Sequence, residues 1–298
     1  MMIRNFLFLF AFTALAYAQA PGVPIFDQSR ESLRKESARI GKKAVILLEK
    51  GEVLTHESVK IAMKEPKPVA VPLKKTTIRE LEPTLIAQKA LGSTYRVGWA
   101  YLCPHCDHWH TNLAGGYAVS DDGILATCAH VVDPGKIKMR EGCLIAVDHT
   151  GSIFPVTQIH AYHAAMDAAL VRIDAETKGL ALNDQVSPGD AAFCLSRPLN
   201  QGKYFTEGIV NRFFWNSSKR GKDDSSLRAL GHLKMNVSSR WAPGSSGSPV
   251  LDHSGNVIGH VATISAMGGD PKKDKKPLIT LHSATPARAV MALMKQEK

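Results

Sequence analysis

Three stretches, far apart in the sequence, hold side chains suited to nucleophilic chemistry. The run PGSSGSPVLD, residues 243–252, sets three serines among glycines in one tight turn. A serine hydroxyl is a weak nucleophile and needs an adjacent base together with a site that stabilises the tetrahedral oxyanion. Backbone N–H groups form such a site only where the chain turns sharply and no side chain intrudes, which glycines two before and one after the nucleophile permit. Ser246 is framed that way, by Gly244 and Gly247, so its own N–H and that of Gly244 are the expected oxyanion donors. Ser245 lies between the two donors and Ser248 beyond the turn.

A base and its partner are available upstream. In GYAVSDDGILATCAHVV two strand-like segments flank an Asp-Asp-Gly turn, and His130 falls at the end of the second. Such a histidine, standing alone, is more often a packed core residue than a catalyst. In MDAALVRID, Asp167 opens an apolar strand. Many aspartates start strands as turn residues. One held at the edge of a buried strand can also accept a histidine N–H, fix the tautomer and stabilise an imidazolium. Cys128 sits two residues before His130 and, at strand spacing, shares its face.

YLCPHCDHWH carries a second cluster, Cys103 and Cys106 followed by His108 and His110. Thiolates and imidazoles in this spacing suit a structural zinc ion, although four ligands within eight residues make a compact set. The same residues also fit a redox-active Cys-x-x-Cys disulfide, separate disulfides to Cys143 or Cys194, or unpartnered loop thiols. The cluster lies between the first two expected strands, where a staple or regulatory loop fits better than a catalytic metal.

From Ser93 onward the sequence breaks into about a dozen short alternating segments separated by turns such as Asp122-Gly123, Pro188-Gly189 and Ser254-Gly255, the texture of an all-β sandwich or barrel. TPARAVMALMKQ then turns to helical spacing after Thr285-Pro286, giving a C-terminal helix. Upstream, residues 27–40 read as a weakly amphipathic helix and KKAVILLEKGEVLTH as two strands around Lys50-Gly51. Residues 64–75, with three prolines, read as a linker or strap. A helix is expected over 78–91, with Glu82-Pro83 near its start.

TCAHVV, MDAALVRI and PGSSGSPV, in that order, resemble the three catalytic blocks of trypsin-like serine peptidases of the chymotrypsin fold, and in texture the bacterial HtrA-type branch. FTEGIVNRFF and SGNVIGHVATI are similar to the strands on either side of the nucleophile loop in that branch. The likeness covers residues 80–298 and implies two six-stranded antiparallel β-barrels with the site in the cleft between them. It implies His130 as general base, Asp167 as its orienting carboxylate and Ser246 as nucleophile. It further implies that the backbone of Val261, Ala262 and Thr263 pairs with an extended substrate, with Ser239 to Ala242 near the first specificity pocket. Arg240 there raises the idea of an acidic preference, against the plainer reading of a solvent-facing arginine. The order His, Asp, Ser excludes the subtilisin and α/β-hydrolase arrangements. Ser245 and Ser248 depart from the common residues around the nucleophile. HtrA-type enzymes carry a PDZ module after the protease domain, and none follows the terminal helix in this sequence.

Whole-chain properties agree with an exported hydrolase. Arg4 precedes an apolar run ending in Ala16-Tyr17-Ala18, which reads as a signal peptide over residues 1–18. The mature chain is expected to be soluble, without stable membrane insertion, as an N-terminal extension over 19–79 followed by the peptidase domain over 80–298. The formal charge is +10, but the lysines and arginines concentrate in polar segments at 60–79, 219–228 and 271–276 without interleaved aromatics, so nucleic acid is not an expected partner. Five cysteines leave at least one thiol unpaired within a chain. The sequence thus reads as a periplasmic or extracellular serine endopeptidase acting on proteins or peptides and needing no cofactor. The competing reading is a catalytically silent peptide-binding module of the same fold.

Overall fold

The structure is a computed structural model describing residues 29–135, 137–216, 227–269 and 276–294. The signal segment at 1–18, most of the basic segments at 219–228 and 271–276, and the last four residues lie outside the described residues. Among the described residues no helix is long and apolar enough to cross a membrane.

Two closed antiparallel six-stranded barrels form the body of the molecule. The first comprises β1 (Thr94–Leu102), β2 (Trp109–Ala118), β3 (Ile124–Thr127), β4 (Glu141–Val147), β5 (Ile153–His163) and β6 (Ala168–Ile173), closing in the order β1-β2-β3-β6-β5-β4. The second comprises β7 (Ala191–Ser196), β8 (Tyr204–Trp215), β9 (Leu233–Val237), β10 (Pro249–Leu251), β11 (Val257–Met267) and β12 (Ile279–Pro286), closing as β10-β11-β12-β9-β8-β7. Closure removes the unpaired edges that an open sheet would expose. Each barrel has its own apolar filling: Val97, Trp99, Leu125 and Leu144 in the first, Val210, Met235, Val250 and Ile258 in the second. A third cluster, with Tyr117, Leu170, Leu251, Val257 and Leu293, joins residues of both barrels. Both sides of the cleft therefore rest on one continuous support.

The helices are α1 (Arg30–Lys50), α2 (His56–Lys64), α3 (Pro83–Leu91), the single turn α4 (Ala129–Val132), α5 (Leu227–Leu230) and α6 (Ala287–Met294). α3 starts later than the expected residue 78: Pro83 occupies the first turn with Glu82 at the N-cap, and the residues before it belong to the irregular strap. Near the end of the chain β12 runs to Pro286 and α6 follows directly.

The KKAVILLEKGEVLTH segment corrects the sequence reading of two strands. It continues α1, which starts at the N-cap Ser29 and ends at Gly51 in the left-handed region, φ 68°. Ile40, Ala44 and Leu47, at helical spacing, are buried against Ala100, Cys143, Ile145 and Val147. Gly51, which reads equally well as a hairpin glycine, is a helix C-cap: its N–H bonds to Leu48 O at 3.0 Å and that of Glu52 to Leu47 O at 3.3 Å.

Residues 65–81 run without helix or strand and strap the two barrels together. Lys67 N–H donates to Ile159 O at 2.9 Å, Thr77 N–H to Asn256 Oδ1 at 3.1 Å and Leu81 N–H to His253 O at 2.9 Å. Val71, at 5% exposure, packs into the shared cluster.

Candidate active site

β3 ends at Thr127, and the chain turns at Cys128 into α4, which carries His130. His130 therefore stands on a helical turn and not at the end of a strand, so the period-two relation to Cys128 does not hold. Thr127 breaks the strand by turning its hydroxyl onto Gly115 O at 2.7 Å. Asp167, one residue before β6, adopts φ 57°, a left-handed conformation that a short polar residue tolerates. This places its carboxylate against His130. The imidazole Nδ1 lies 2.9 Å from each carboxylate oxygen, and the His130 backbone N–H donates to Oδ1 at 3.1 Å.

Electrostatics follow from this contact. The hydrogen bond to Asp167, helped by its charge, raises the His130 pKa above that of an ordinary imidazole despite partial burial. Burial alone would raise the Asp167 pKa, but the His130 hydrogen bonds and charge overcome it and hold the carboxyl below its usual range. The pair favours an ionised aspartate with the Nδ1 proton fixed toward it. Nε2 of His130 is then the atom available to take a proton. Cys128 lies beneath the dyad, its thiol donating to Val261 O at 3.0 Å. Burial and the Asp167 charge push that thiol well above its ordinary pKa, so it stays neutral.

The turn bearing Ser246 is pinned from both barrels. Gly115 N–H donates to Ser246 O at 2.6 Å, and Gly247 N–H to Val261 O at 2.8 Å. Gly244 and Gly247 take φ 95° and 78°, conformations that L side chains resist. Leu199, in the 3-10 turn Pro198–Asn200, donates its N–H to Pro243 O at 2.7 Å. In a trans peptide the N–H of Gly244 must then point the opposite way from that carbonyl, away from the 3-10 turn. Ser245 is fully buried, its hydroxyl bonded to Ser196 Oγ at 3.1 Å, and Ser248 is 3% exposed. Of the three serines, Ser246 is the one with an open side. His130, Gly244 and Ser246 line one cleft of about 700 Å³ together with Trp99, Tyr101, Asn112 and Leu113.

A buried polar network behind the dyad escapes the sequence reading. Lys234 of β9, 8% exposed, donates its ammonium to Met166 O at 2.9 Å and to Thr285 Oγ1 at 3.2 Å, and Thr285 donates to the same carbonyl at 2.7 Å. His260 of β11 is fully buried and donates Nε2–H to Asp167 O at 3.0 Å. Burial drives its pKa down to about 4, so it is neutral. The second barrel thus holds the backbone of Asp167, whose carboxylate meets His130. A lysine inside HLKMNV gives no sequence signal of this, because strand alternation alone would place it at the surface.

Other expected site residues fall as follows. Both backbone groups of Val261 are taken, its N–H by Ser248 O at 2.9 Å and its carbonyl by Gly247 and Cys128. Ala262 occupies a bulge where the β11–β12 register shifts, and Thr263 O accepts from Trp241 Nε1 at 3.3 Å. From Thr263 onward β11 is exposed. Arg240 is exposed and lines a groove with Asn211, Val237 and His282, apart from the residues that line the cleft. Cys103, Cys106 and His110 gather at the β1–β2 tip, with His108 beside them, its ring against the Cys106 carbonyl. All five thiols are free; Cys143 is buried beneath α1 on the outside of the first barrel and Cys194 within the second.

Comparison with known proteins adds an independent line. Residues 114–259 match the family model of the trypsin-like peptidase domain. A putative serine protease, HhoB, of Synechocystis is 27% identical over 169 residues, 55% of this chain and 37% of that protein. A probable periplasmic DegP-like serine endoprotease of Chlamydia pneumoniae is 28% identical over 159 residues, 52% of this chain and 29% of that protein. The chain thus spans about a third of the length of these curated relatives. An HtrA-type protease, AlgW, solved with a decapeptide, superposes with a TM-score of 0.54 at 17% identity, over 72% of this chain and 67% of that one. That likeness bears on the fold alone. Matched in sequence over residues 114–259, the segment that holds the His130–Asp167 pair and the Ser246 turn, and matched in fold across both barrels, the chain is similar to the trypsin-like peptidase domain of the HtrA serine proteases.

Proposed function

We propose that the protein is an exported serine endopeptidase. Ser246 attacks the scissile carbonyl while His130 Nε2 takes its proton. The N–H groups of Gly244 and Ser246 receive the oxyanion of the tetrahedral intermediate. His130 then protonates the leaving amine, and water hydrolyses the acyl-enzyme with His130 again as base. Asp167 keeps the imidazole in the tautomer this requires. The side chains and backbone of this chain supply every group for that chemistry, so the proposal includes no cofactor.

The observation that carries the reading is the shared cleft: His130, held from behind by Asp167, and Ser246 on its glycine-framed turn line the same opening. Substrates are unfolded proteins or peptides, which can lie extended along the exposed portion of β11. Export rests on the signal-like residues 1–18 and on the periplasmic naming of the Chlamydia relative. The test is steady-state cleavage of an unfolded protein substrate by purified wild type and Ser246→Ala. Loss of about six orders of magnitude in kcat, down to background, supports the assignment. Turnover of Ser246→Ala equal to wild type would refute it.

A further inference from the structure

The β1–β2 hairpin walls the cleft with Trp99, Tyr101, Asn112 and Leu113, and its tip holds a group of side chains that the peptidase chemistry does not use. Sγ of Cys103, Sγ of Cys106 and Nε2 of His110 all lie within 4.8 Å of one another, the Cys106–His110 pair at 3.0 Å. In a tetrahedral site with metal–sulfur bonds of about 2.3 Å and metal–nitrogen bonds of about 2.0 Å, ligand atoms stand roughly 3.5–3.8 Å apart. The Cys106–His110 pair stands somewhat closer than that and the other two separations stay within 4.8 Å, so small side-chain shifts bring the three atoms to a common ion. The hairpin geometry favours this. Cys103 N–H donates to His108 O at 3.0 Å, closing the turn that brings the two sulfurs together.

We infer that Cys103, Cys106 and His110 bind one zinc ion that ties the tip of the cleft-wall hairpin. Binding displaces the two thiol protons and leaves both sulfurs as thiolates, with no change of oxidation state. Soft thiolates with imidazoles select zinc over the oxygen-preferring calcium and magnesium. The hairpin alternative, a Cys103–Cys106 disulfide, would require oxidation and would remove both sulfur ligands. The hairpin tip connects to the cleft on one side and to α1 on the other. Tyr101 stacks on His110 with ring centroids 5.8 Å apart, and Trp109 lies against Gly41 of α1. The metal thus holds the hairpin between the N-terminal helix and the substrate opening. The site stands on the two thiols and the His110 imidazole alone; only its effect on the cleft rests on the peptidase reading.

The test measures metal, not turnover. Full-length protein purified without chelators, from zinc-supplemented medium, is expected to carry one zinc per chain by elemental analysis. Ser246→Ala should keep it, and Cys103→Ser and Cys106→Ser should lose it. Wild type stripped by a chelator and titrated with cobalt(II) should develop thiolate-to-cobalt charge-transfer absorption and the intense visible bands of a tetrahedral ion. Cobalt binding should weaken at least about 100-fold in His110→Ala, since loss of an outer partner alone costs 10–100-fold. The titration uses the native sequence, so it decides the matter even if a cysteine variant does not fold. Wild type with no more zinc than Cys103→Ser and no cobalt charge-transfer band would overturn the inference. Intact mass showing a Cys103–Cys106 disulfide in the purified chain would overturn it equally.

Discussion

At the level of single residues, the proposed chemistry depends on which protonation state His130 holds. In that proposal the imidazole must be neutral to accept the Ser246 proton, and the Asp167 hydrogen bond raises its pKa. The acid limb of kcat/KM should therefore lie above the ordinary imidazole value of about 6.5. Asp167→Asn removes the hydrogen-bonding carboxylate and its charge, so the limb should shift to lower pH while the plateau falls about 10⁴-fold. A pH–rate profile of both forms checks sign and size together. Lys234→Met should move the limb the other way. It removes a cation that lies close enough to Asp167 to feel its charge, which makes protonated His130 easier to form. Because Met166 O keeps its bond from Thr285, kcat should drop about tenfold with KM little changed. A purely structural lysine would alter stability and leave the pH profile where it was.

At the level of elements, a strand, a turn and a helix start are locked together at Gly115. A Cβ there would lie 2.1 Å from Ser248 Oγ and 2.5 Å from Ser248 N, so Gly115→Ala must push the nucleophile turn outward. Displacement of about 1 Å is enough to cost about 100-fold in rate, and overpacking of this kind costs about 1–3 kcal/mol. Denaturant unfolding and steady-state kinetics of the variant should show both. This region is also where the sequence was most readable. Gly244, Gly247, His130 and Asp167 are tied to their positions by chemistry, and each leaves a local mark: a glycine pair around a serine, a histidine after an apolar run, an aspartate before one. Residues whose role arises only from tertiary packing leave no such mark. Lys234, His260 and Thr285 come from three different strands and meet under Asp167 only once the second barrel closes. The reading of residues 42–56 failed for a related reason. An apolar run followed by Lys-Gly suits a hairpin or a capped helix, and the choice was made by the barrel face that Ile40, Ala44 and Leu47 cover.

At the level of the whole molecule, the N-terminal segment is part of the folded body. α1 covers the outside of the first barrel, and the following strap binds β5, the β10–β11 turn and the shared cluster. Leu47, 2% exposed, does not itself line the cleft. Leu47→Ala should cost about 2–5 kcal/mol of stability, seen as a lowered midpoint in denaturant, with kcat/KM of the folded protein unchanged. A change in kcat/KM would show that α1 communicates with the site. The dozen alternating segments made an all-β sandwich or barrel readable, and the likeness of three ordered motifs to trypsin-like peptidases implied the pair of barrels. How the strap crosses both barrels was not, because a proline-rich segment carries no periodicity to say what it touches.

The measurement that bears most directly on the proposed chemistry is covalent labelling by a fluorophosphonate, which reacts with a serine activated by a base beside an oxyanion site. Purified mature protein is treated beside Ser246→Ala and Ser245→Ala, and the adduct is located by peptide mass mapping. The expected result is one adduct, on Ser246, in wild type and in Ser245→Ala, and none in Ser246→Ala. Folded wild type that takes no label, or that takes it equally in Ser246→Ala, would contradict the assignment of Ser246 as an activated nucleophile and leave the cleft a binding site.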